Sequence, residues 1–164
     1  MKVLCVLLMV VLLCGCAAQP TLEQVNDPWV EVAANAGELE IRLPQEAAAP
    51  ALYSPETGEL YFCDGYVLMV QTFCGGDLDA TMRQITGYAK DRLSYMETRN
   101  GNVDQYSCVW SSAGESGDQV GRCLILDDGS YHYTVTVMAE AETAGELAQT
   151  WQDLFGSVRL TGTD

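Results

Sequence analysis

Residues 103–138 read VDQYSCVWSSAGESGDQVGRCLILDDGSYHYTVTVM, and this stretch decides the fold. Three runs rich in β-branched and aromatic residues, at 103–112, 119–127 and 130–138, are separated by short polar segments. Apolar and polar residues that alternate between turn residues predict antiparallel strands, here a three-stranded meander. The loop 113–118 joins the first two strands, and Asp128-Gly129 joins the last two as a two-residue turn.

The loop 113–118 also fixes the register of the first two strands. If Ser112 faces Gln119, Cys108 lies directly opposite Cys123. We therefore expect a Cys108–Cys123 disulfide, which would close a 16-residue loop and contribute about 3 kcal/mol. The same register pairs Trp110 with Gly121 and Tyr106 with Ile125, which is favourable cross-strand packing.

Two further cysteines lie upstream, in the runs 59–63 (ELYFC) and 66–74 (YVLMVQTFC). Asp64-Gly65 between these runs is a strong hairpin signal, which places Cys63 opposite Tyr66. Cys74 then lies roughly 26 Å along the strand, whereas a disulfide needs Cα atoms within about 7 Å. Cys63 and Cys74 are therefore expected to be free thiols, unless a bulged strand joins them in a second disulfide.

Two helices are predicted around the meander. Apolar residues at 78, 82, 85, 89, 93 and 96 form the stripe of an amphipathic helix of about five turns, with Asp77 or Asp79 as its cap. A capping-box pattern at residues 143–146 and an apolar face of Leu147, Trp151, Leu154 and Phe155 predict the second. Short strands at 39–43 and 157–160 flank these elements.

This order of elements predicts an α+β fold, a twisted antiparallel sheet with helices packed on it. It resembles the PsbP-like fold, through the element order, residues 41–44 (IRLP) and the closing residues 151–160 (WQDLFGSVRL). That resemblance implies a non-catalytic binding or assembly factor. It transfers no site residue, since none can be matched.

The first sixteen residues, MKVLCVLLMVVLLCGC, predict export. The apolar run at 3–13 follows Lys2 and is too short for a membrane span, which takes roughly 20 residues. Leu13-Cys14-Gly15-Cys16 resembles the lipobox of bacterial lipoproteins, which implies a diacylglycerol on Cys16 and cleavage just before it. We expect a signal peptide at 1–15, a lipidated cysteine and tether at 16–28, and one domain at 29–164. An ordinary cleaved signal peptide is the alternative.

The charge narrows the range of partners. Asp and Glu number 23 against 8 Lys and Arg, for a formal net charge of −15 and a pI near 4.1. Loss of Lys2 with the signal peptide takes the charge from −15 to −16. Such a chain lacks the clustered cations that nucleic acid requires, so no nucleic-acid partner is expected.

His132 is the only histidine, and the two-residue turn places it opposite Ile125. Tyr106, Trp110 and His132 then share one sheet face, which we take as a candidate ligand face. The alternative is that His132 only packs or hydrogen-bonds there.

No catalytic, metal-binding or cofactor residues are predicted. The sequence has no G-x-S-x-G elbow, no phosphate-binding glycine loop with a lysine and no C-x2-C pair in the body. Paired carboxylates at residues 77/79, 127/128 and 140/142 fall at expected turns and element ends, where acidic caps are common. A weak calcium site at Asp77 and Asp79 is the alternative, although the EF-hand pattern is missing.

Three functions are compatible with these features. The first is a non-catalytic binding or assembly module of the cell envelope, anchored to the membrane through Cys16 and contacting an envelope protein or small ligand. The second is a thiol-dependent enzyme or redox sensor that uses Cys63 or Cys74. The third is a ligand-capturing accessory of a transporter, which the small single domain disfavours.

Overall fold

The computed structural model describes residues 28–55, 58–114 and 117–162. The predicted signal peptide, Cys16 and all of the tether except Pro28 lie outside the described residues. The strands are β1 (Trp29–Ala34), β2 (Leu39–Pro44), β3 (Leu52–Ser54), β4 (Gly58–Cys63), β5 (Tyr66–Cys74), β6 (Ser94–Asn100), β7 (Val103–Gly114), β8 (Gly117–Asp127), β9 (Tyr131–Glu140) and β10 (Arg159–Leu160). The helices are α1 (Leu78–Thr86) and α2 (Ala148–Ser157).

Seven strands form the main sheet, in the order β3-β4-β5-β9-β8-β7-β6, and every neighbouring pair is antiparallel. A smaller antiparallel sheet has the order β1-β2-β10. The predicted α+β class, an antiparallel sheet with helices packed on it, is therefore confirmed. Among the described residues, no helix is both long and apolar enough to span a bilayer.

The larger core lies between one face of the main sheet, the small sheet and α2. The fully buried side chains of Trp151 and Leu154 on α2 pack with Ile41 on β2 and with Leu68 and Val137 of the main sheet. An apolar stripe on a short helix and alternate apolar residues on the strands meet here, as their periodicities require.

A smaller core lies on the opposite face of the sheet, beneath α1. Met82 is fully buried there against β7 and β8, in one cluster with Tyr106, Cys108, Trp110, Cys123 and Ile125. The two covering layers are therefore staggered: α1 packs on the β7–β8 half of one face, while α2 and the small sheet cover the other face.

Both predicted hairpin registers are confirmed. Cys63 is opposite Tyr66 across the Asp64-Gly65 turn, where Gly65 has a φ of 77°. Cys108 is opposite Cys123, and the same ladder pairs Trp110 with Gly121 and Tyr106 with Ile125.

The predicted five-turn helix is wrong beyond its second turn. Asp77 caps α1 as expected, accepting a hydrogen bond from the Ala80 amide at 2.9 Å. Gly87 then adopts a left-handed conformation, with φ 79°, and ends the helix. The rest of the apolar stripe lies outside the helix: Ala89 and Leu93 flank a 3-10 turn at Lys90–Arg92, and Met96 is in strand β6. A left-handed glycine is a common helix terminator.

Two smaller predictions also need correction. His132 faces Asp127 and not Ile125, because four residues, 128–131, separate these partners at the β8–β9 turn instead of two, which shifts the register by two. Asp128 holds that turn by accepting hydrogen bonds from the amides of Ser130 and Tyr131, both at 2.8 Å. The pattern at 143–146 forms a turn before α2 and does not cap it, since α2 begins at Ala148.

Gly121 is predicted to be indispensable for the β7–β8 ladder. A Cβ at this position would lie 2.3 Å from the Trp110 ring, so Gly121→Ala should lower the free energy of unfolding by about 1–3 kcal/mol through overpacking. Chemical denaturation measures this effect.

Gly145→Ala is the matched control, because no atom lies within 4 Å of the position that a Cβ would take there. A second variant, Trp110→Leu with Gly121→Ala, should regain part of the stability lost by Gly121→Ala. Equal stability of Gly121→Ala and Gly145→Ala would contradict the steric role of Gly121.

Candidate functional site

The staggered layers leave one half of a sheet face open to solvent in the described part of the chain. Six apolar side chains share this surface, which we call the open half-face: Leu52, Leu60, Phe62, Val67, Met69 and Met138. Leu52 and Phe62 are 63% and 59% exposed, and the other four are half-buried. Large exposed apolar side chains grouped in this way are typical of interaction surfaces.

The six residues share a face because they are linked by direct cross-strand pairs. Leu60 pairs with Leu52 and Met69, and Val67 pairs with Phe62 and Met138. Directly opposed residues of antiparallel strands point to the same side of the sheet. The surface is continuous with the smaller core, since Met138 also packs against that cluster.

A cavity of about 500 Å³ lies at the end of the open half-face, next to the β4–β5 turn. Phe62, Val67 and Met138 of the open half-face line it on one side, and Gln119 and Glu140 supply polar groups. A concave apolar surface with a few polar groups at its edge is the usual form of a binding site.

The chain segment that carries this surface contains acidic residues but no basic ones. Residues 43–82, which carry β3, β4, β5 and most of α1, contain no Lys or Arg. They contain the six acids Glu46, Glu56, Glu59, Asp64, Asp77 and Asp79. The segment that carries the open half-face therefore has no cation of its own, and Glu140 adds an acid at the adjoining cavity.

Cys63 lies in the cavity wall, where its thiol contacts the Tyr66 hydroxyl. Burial raises the pKa of the Cys63 thiol, so the reactive thiolate is disfavoured. Burial and the adjacent thiol also raise the pKa of Tyr66. This pair therefore lacks the activated thiol that a cysteine nucleophile or redox sensor needs.

Cys74 lies at the other end of β5 and is exposed. The strand runs without a break from Tyr66 to Cys74, each residue from Val67 onward pairing with one on β9. Because β5 does not bend back, Cys63 and Cys74 stay a strand length apart, and both are present as thiols.

Cys108 and Cys123 are buried opposite each other and are also present as thiols. The Cys123 thiol donates a hydrogen bond to Cys108, which lowers the pKa of Cys108. Burial raises the pKa of Cys123, and the Thr136 hydroxyl donates to its sulfur at 3.3 Å. The two sulfurs thus lie side by side beneath α1.

Tyr106, Trp110 and His132 share one sheet face as predicted, but all three are buried. Tyr106 and Trp110 belong to the smaller core, and His132 is fully buried. The structure does not bring these three side chains to an accessible surface, because α1 covers the face that the sequence suggested was free.

His132 instead forms the centre of a buried polar chain. Its Nδ1 lies 2.7 Å from the Thr81 hydroxyl on α1, and its Nε2 lies 3.3 Å from Asp127 Oδ2 on β8. A hydroxyl, an imidazole and a carboxylate in a row are typical of a nucleophilic triad. Thr81 is only 3% exposed, however, so this chain fastens α1 to the sheet and offers no substrate access.

The paired carboxylates have structural partners. Asp79 binds Arg83 at 2.7 Å and accepts from the Lys90 amide at 2.6 Å, while Asp77 caps α1. Asp127 and Asp128 accept amide hydrogen bonds within the β8–β9 turn. In the described residues, no group of three or more His, Cys, Asp or Glu side chains is arranged to hold a metal ion.

The open half-face was not predicted, although the sequence carries one signal for it. Residues 66–70 (YVLMV) are apolar at every position, and 60–62 (LYF) likewise. A strand buried on one face alternates, whereas an unbroken apolar run indicates apolar residues on both faces. The second apolar face, with Phe62, Val67 and Met69, is the one left open.

Comparison with solved structures finds the same fold at low sequence identity. The solution structure of cyanobacterial PsbP (CyanoP) from Synechocystis sp. PCC 6803 matches with a TM-score of 0.56 and 8% identity, covering 81% of this chain and 92% of that one. A crystal structure from Bacteroides thetaiotaomicron matches with a TM-score of 0.55 and 12% identity, covering 81% of this chain and 48% of that one. The resemblance to the PsbP-like fold is therefore confirmed, and identities this low establish the fold alone.

A more distant match is LpqN, described as involved in cell envelope biogenesis of Mycobacterium tuberculosis. Its TM-score is 0.44 at 10% identity, covering 82% of this chain and 79% of that one, which is too distant to carry an argument. No family model and no curated protein matches this sequence.

The buried Thr81–His132 contact is predicted to hold α1 in place. Thr81→Val preserves the shape of the side chain but leaves His132 Nδ1 without its partner, which should lower the free energy of unfolding by about 1–3 kcal/mol. The control is Thr143→Val, at an exposed threonine, where a loss below about 0.5 kcal/mol is expected. Equal losses for the two variants, measured by thermal or chemical denaturation, would contradict the role of His132.

Proposed function

We propose that this chain is a lipid-anchored extracytoplasmic binding module that engages another envelope protein through the open half-face. The observation that carries the proposal is the staggered cover of the sheet, which leaves six apolar side chains and an adjoining cavity exposed. Exposing this apolar area to water costs free energy, which a bound partner would recover.

The chemistry of the surface selects the class of partner. Its apolar side chains lie on four adjacent strands, and two of them are methionines, which adapt to different shapes. The lack of Lys and Arg in residues 43–82, with Glu140 at the adjoining cavity, favours a protein segment with apolar residues flanked by Lys or Arg. A small apolar ligand in the cavity alone would leave Leu52 and Leu60 uncovered, since neither lines the cavity.

The anchor and the location rest on the first sixteen residues. The lipobox-like Leu13-Cys14-Gly15-Cys16 supports export and lipidation of Cys16. Acyl chains on that cysteine would hold the protein at the membrane, because each buried methylene contributes about 0.8 kcal/mol. The acidic body would be repelled by anionic headgroups and would stay available to a protein partner.

Cys108 and Cys123 are proposed to be oxidised to a disulfide in the exported protein. Their opposed positions in the ladder support this, because paired residues are close enough to be joined. The bond would form during folding, before α1 buries the two sulfurs, by exchange with an oxidised dithiol protein of the envelope: Cys108 attacks the donor disulfide, Cys123 then resolves the mixed disulfide, and the donor leaves as two thiols.

Intact mass of the protein purified from its own membranes tests the anchor and the disulfide together. We expect a chain that begins at Cys16 and carries a diacylglyceryl group. It should be two hydrogen atoms lighter than the fully reduced form, with the bond mapped to Cys108 and Cys123 after proteolysis. Unlipidated Cys16, or four free thiols among the other cysteines, would overturn the corresponding part of the proposal.

Replacing Phe62 is expected to weaken partner binding. Two synthetic amphipathic peptides with the same leucine face serve as probes, one with lysine and one with glutamate on its polar face. Phe62→Gln removes an anchor worth about 1 kcal/mol or more, so affinity for the lysine peptide should fall roughly fivefold or more. Fluorescence anisotropy of labelled peptides measures the affinities.

Tyr53→Gln is the matched control, because Tyr53 is an aromatic residue that is 62% exposed and pairs with Glu59 on the opposite sheet face. It should bind the lysine peptide as the natural protein does. Glutamate-peptide binding as tight as that of the lysine peptide would contradict the charge argument. In native membranes, a photoreactive residue at position 62 should give a discrete protein adduct and one at position 53 should not.

A further inference from the structure

The other end of the main sheet carries a different exposed surface. Strand β6 is the last strand in the sheet order, and all seven of its residues are exposed. Its register with β7 runs without a bulge from Ser94 to Asn100, and it contains no proline. Proteins usually protect an edge strand with a bulge, a proline or a covering loop, because its free backbone groups can pair with another strand.

Large apolar side chains are also exposed along this edge. Met96 on β6 is 63% exposed, and Tyr95 and Val109 beside it are exposed as well. Tyr88, before the 3-10 turn that leads into β6, is a fourth. The edge therefore offers apolar contacts in addition to backbone hydrogen bonds.

The charge of this region differs from that of the rest of the chain. Residues 83–99 hold four of the eight Lys and Arg (Arg83, Lys90, Arg92 and Arg99) and only two acids (Asp91 and Glu97). Two copies with a net charge of −15 repel each other. Strand β6 itself carries one acid and one cation, Glu97 and Arg99, so contact between two copies of this strand adds no net charge repulsion of its own.

We propose that β6 pairs antiparallel with β6 of a second copy, extending the sheet through a two-fold axis at Thr98. In this register Glu97 of each copy lies opposite Arg99 of the other, which gives two reciprocal ion pairs. Moving the axis by one residue, to Glu97 or to Arg99, would set like charges opposite each other. No other antiparallel register of Ser94–Asn100 places Glu97 opposite Arg99.

The charged side chains that would form these ion pairs point to the same face of the sheet. Glu97 is opposite Tyr106, and Arg99 is opposite Asp104, with its Nε 3.4 Å from Asp104 Oδ1. Glu97 and Arg99 lie two residues apart on one strand, so both point to the same sheet face. A two-fold axis perpendicular to the sheet keeps that face continuous between copies, and two-fold dimers are the commonest assemblies.

Cross-linking of the full-length protein in its own membranes tests the proposal. On a Cys74→Ser background, Thr98→Cys places two cysteines opposite each other at the axis. Mild oxidation should give a covalent dimer on a non-reducing gel. Ser94→Cys lies on the same strand but away from the axis, and it should give little dimer.

Exchanging the charges at Glu97 and Arg99 tests whether the cross-link reports the proposed register or chance collisions between copies. Adding Glu97→Arg to Thr98→Cys should reduce the dimer yield severalfold, since it opposes two arginines. Glu97→Arg together with Arg99→Glu should restore the yield, because the reciprocal pairs are rebuilt with their signs exchanged. The matched control exchanges Glu31 and Arg42, which are opposite each other in the small sheet, and should leave the yield unchanged.

Three results would overturn the proposal: no dimer with Thr98→Cys, equal yields from Thr98→Cys and Ser94→Cys, or no response to Glu97→Arg. Binding at the open half-face uses the other end of the sheet, so loss of the dimer leaves the proposed function standing. Circular dichroism of each variant confirms that the fold is kept.

Discussion

The structure depends on the pairing of β7 with β8, and above all on Trp110 lying across from Gly121. A side chain at Gly121 would collide with the Trp110 ring, so the indole can lie flat on the sheet only in this register. A slip of one residue would move every side chain of the strand to the opposite face. The same register places Cys108 opposite Cys123 and gathers the residues on which Met82 of α1 packs. The position of α1, and therefore the extent of the open half-face, follows from this single cross-strand fit.

The length and position of α1 are the second constraint, and together they leave half of a sheet face open. A helix of nine residues spans about 14 Å at 1.5 Å per residue. Seven strands spaced about 4.8 Å apart are about 29 Å across. The helix is therefore too short to cross the whole sheet, and the Thr81–His132 contact fixes which part it covers. Beyond Gly87 the chain leads toward the β6 edge, where Lys90 lies over the rings of Tyr95 and Tyr106, so this segment also stays away from the open half-face.

Local rules predicted the parts of the fold that depend on neighbouring residues. The pairs Cys63–Tyr66 and Cys108–Cys123 followed from turn lengths. The sheet face on which Tyr106, Trp110 and His132 lie followed from the alternation of side chains along each strand. The predicted β8–β9 turn was two residues too short, so the predicted register was wrong by two. A shift of two keeps every side chain on the same sheet face, so the face of His132 was correct although its neighbour was not. The helix was overextended because apolar residues at Ala89, Leu93 and Met96 fit a helical period, although Gly87 could end the helix and these residues lie in a turn and an edge strand. The apolar run at 66–70 indicates a second apolar face, but which half of it stays open depends on where α1 lies over the sheet, and periodicity carries no information about that.

The two ends of the sheet differ in charge and in exposed backbone, and this difference suggests that they bind different partners. The β3–β5 end lacks any Lys or Arg over residues 43–82 and would repel another copy of this acidic chain, yet it attracts a cationic partner. The β6 end carries an unbroken edge strand with one acid and one cation, Glu97 and Arg99, which can pair with those of a second copy. Self-association at β6 would leave both open half-faces at the outer ends of one extended sheet. Each copy would then present its binding surface away from the dimer axis, and two weak contacts with a repeated or clustered envelope partner would reinforce each other through effective concentration.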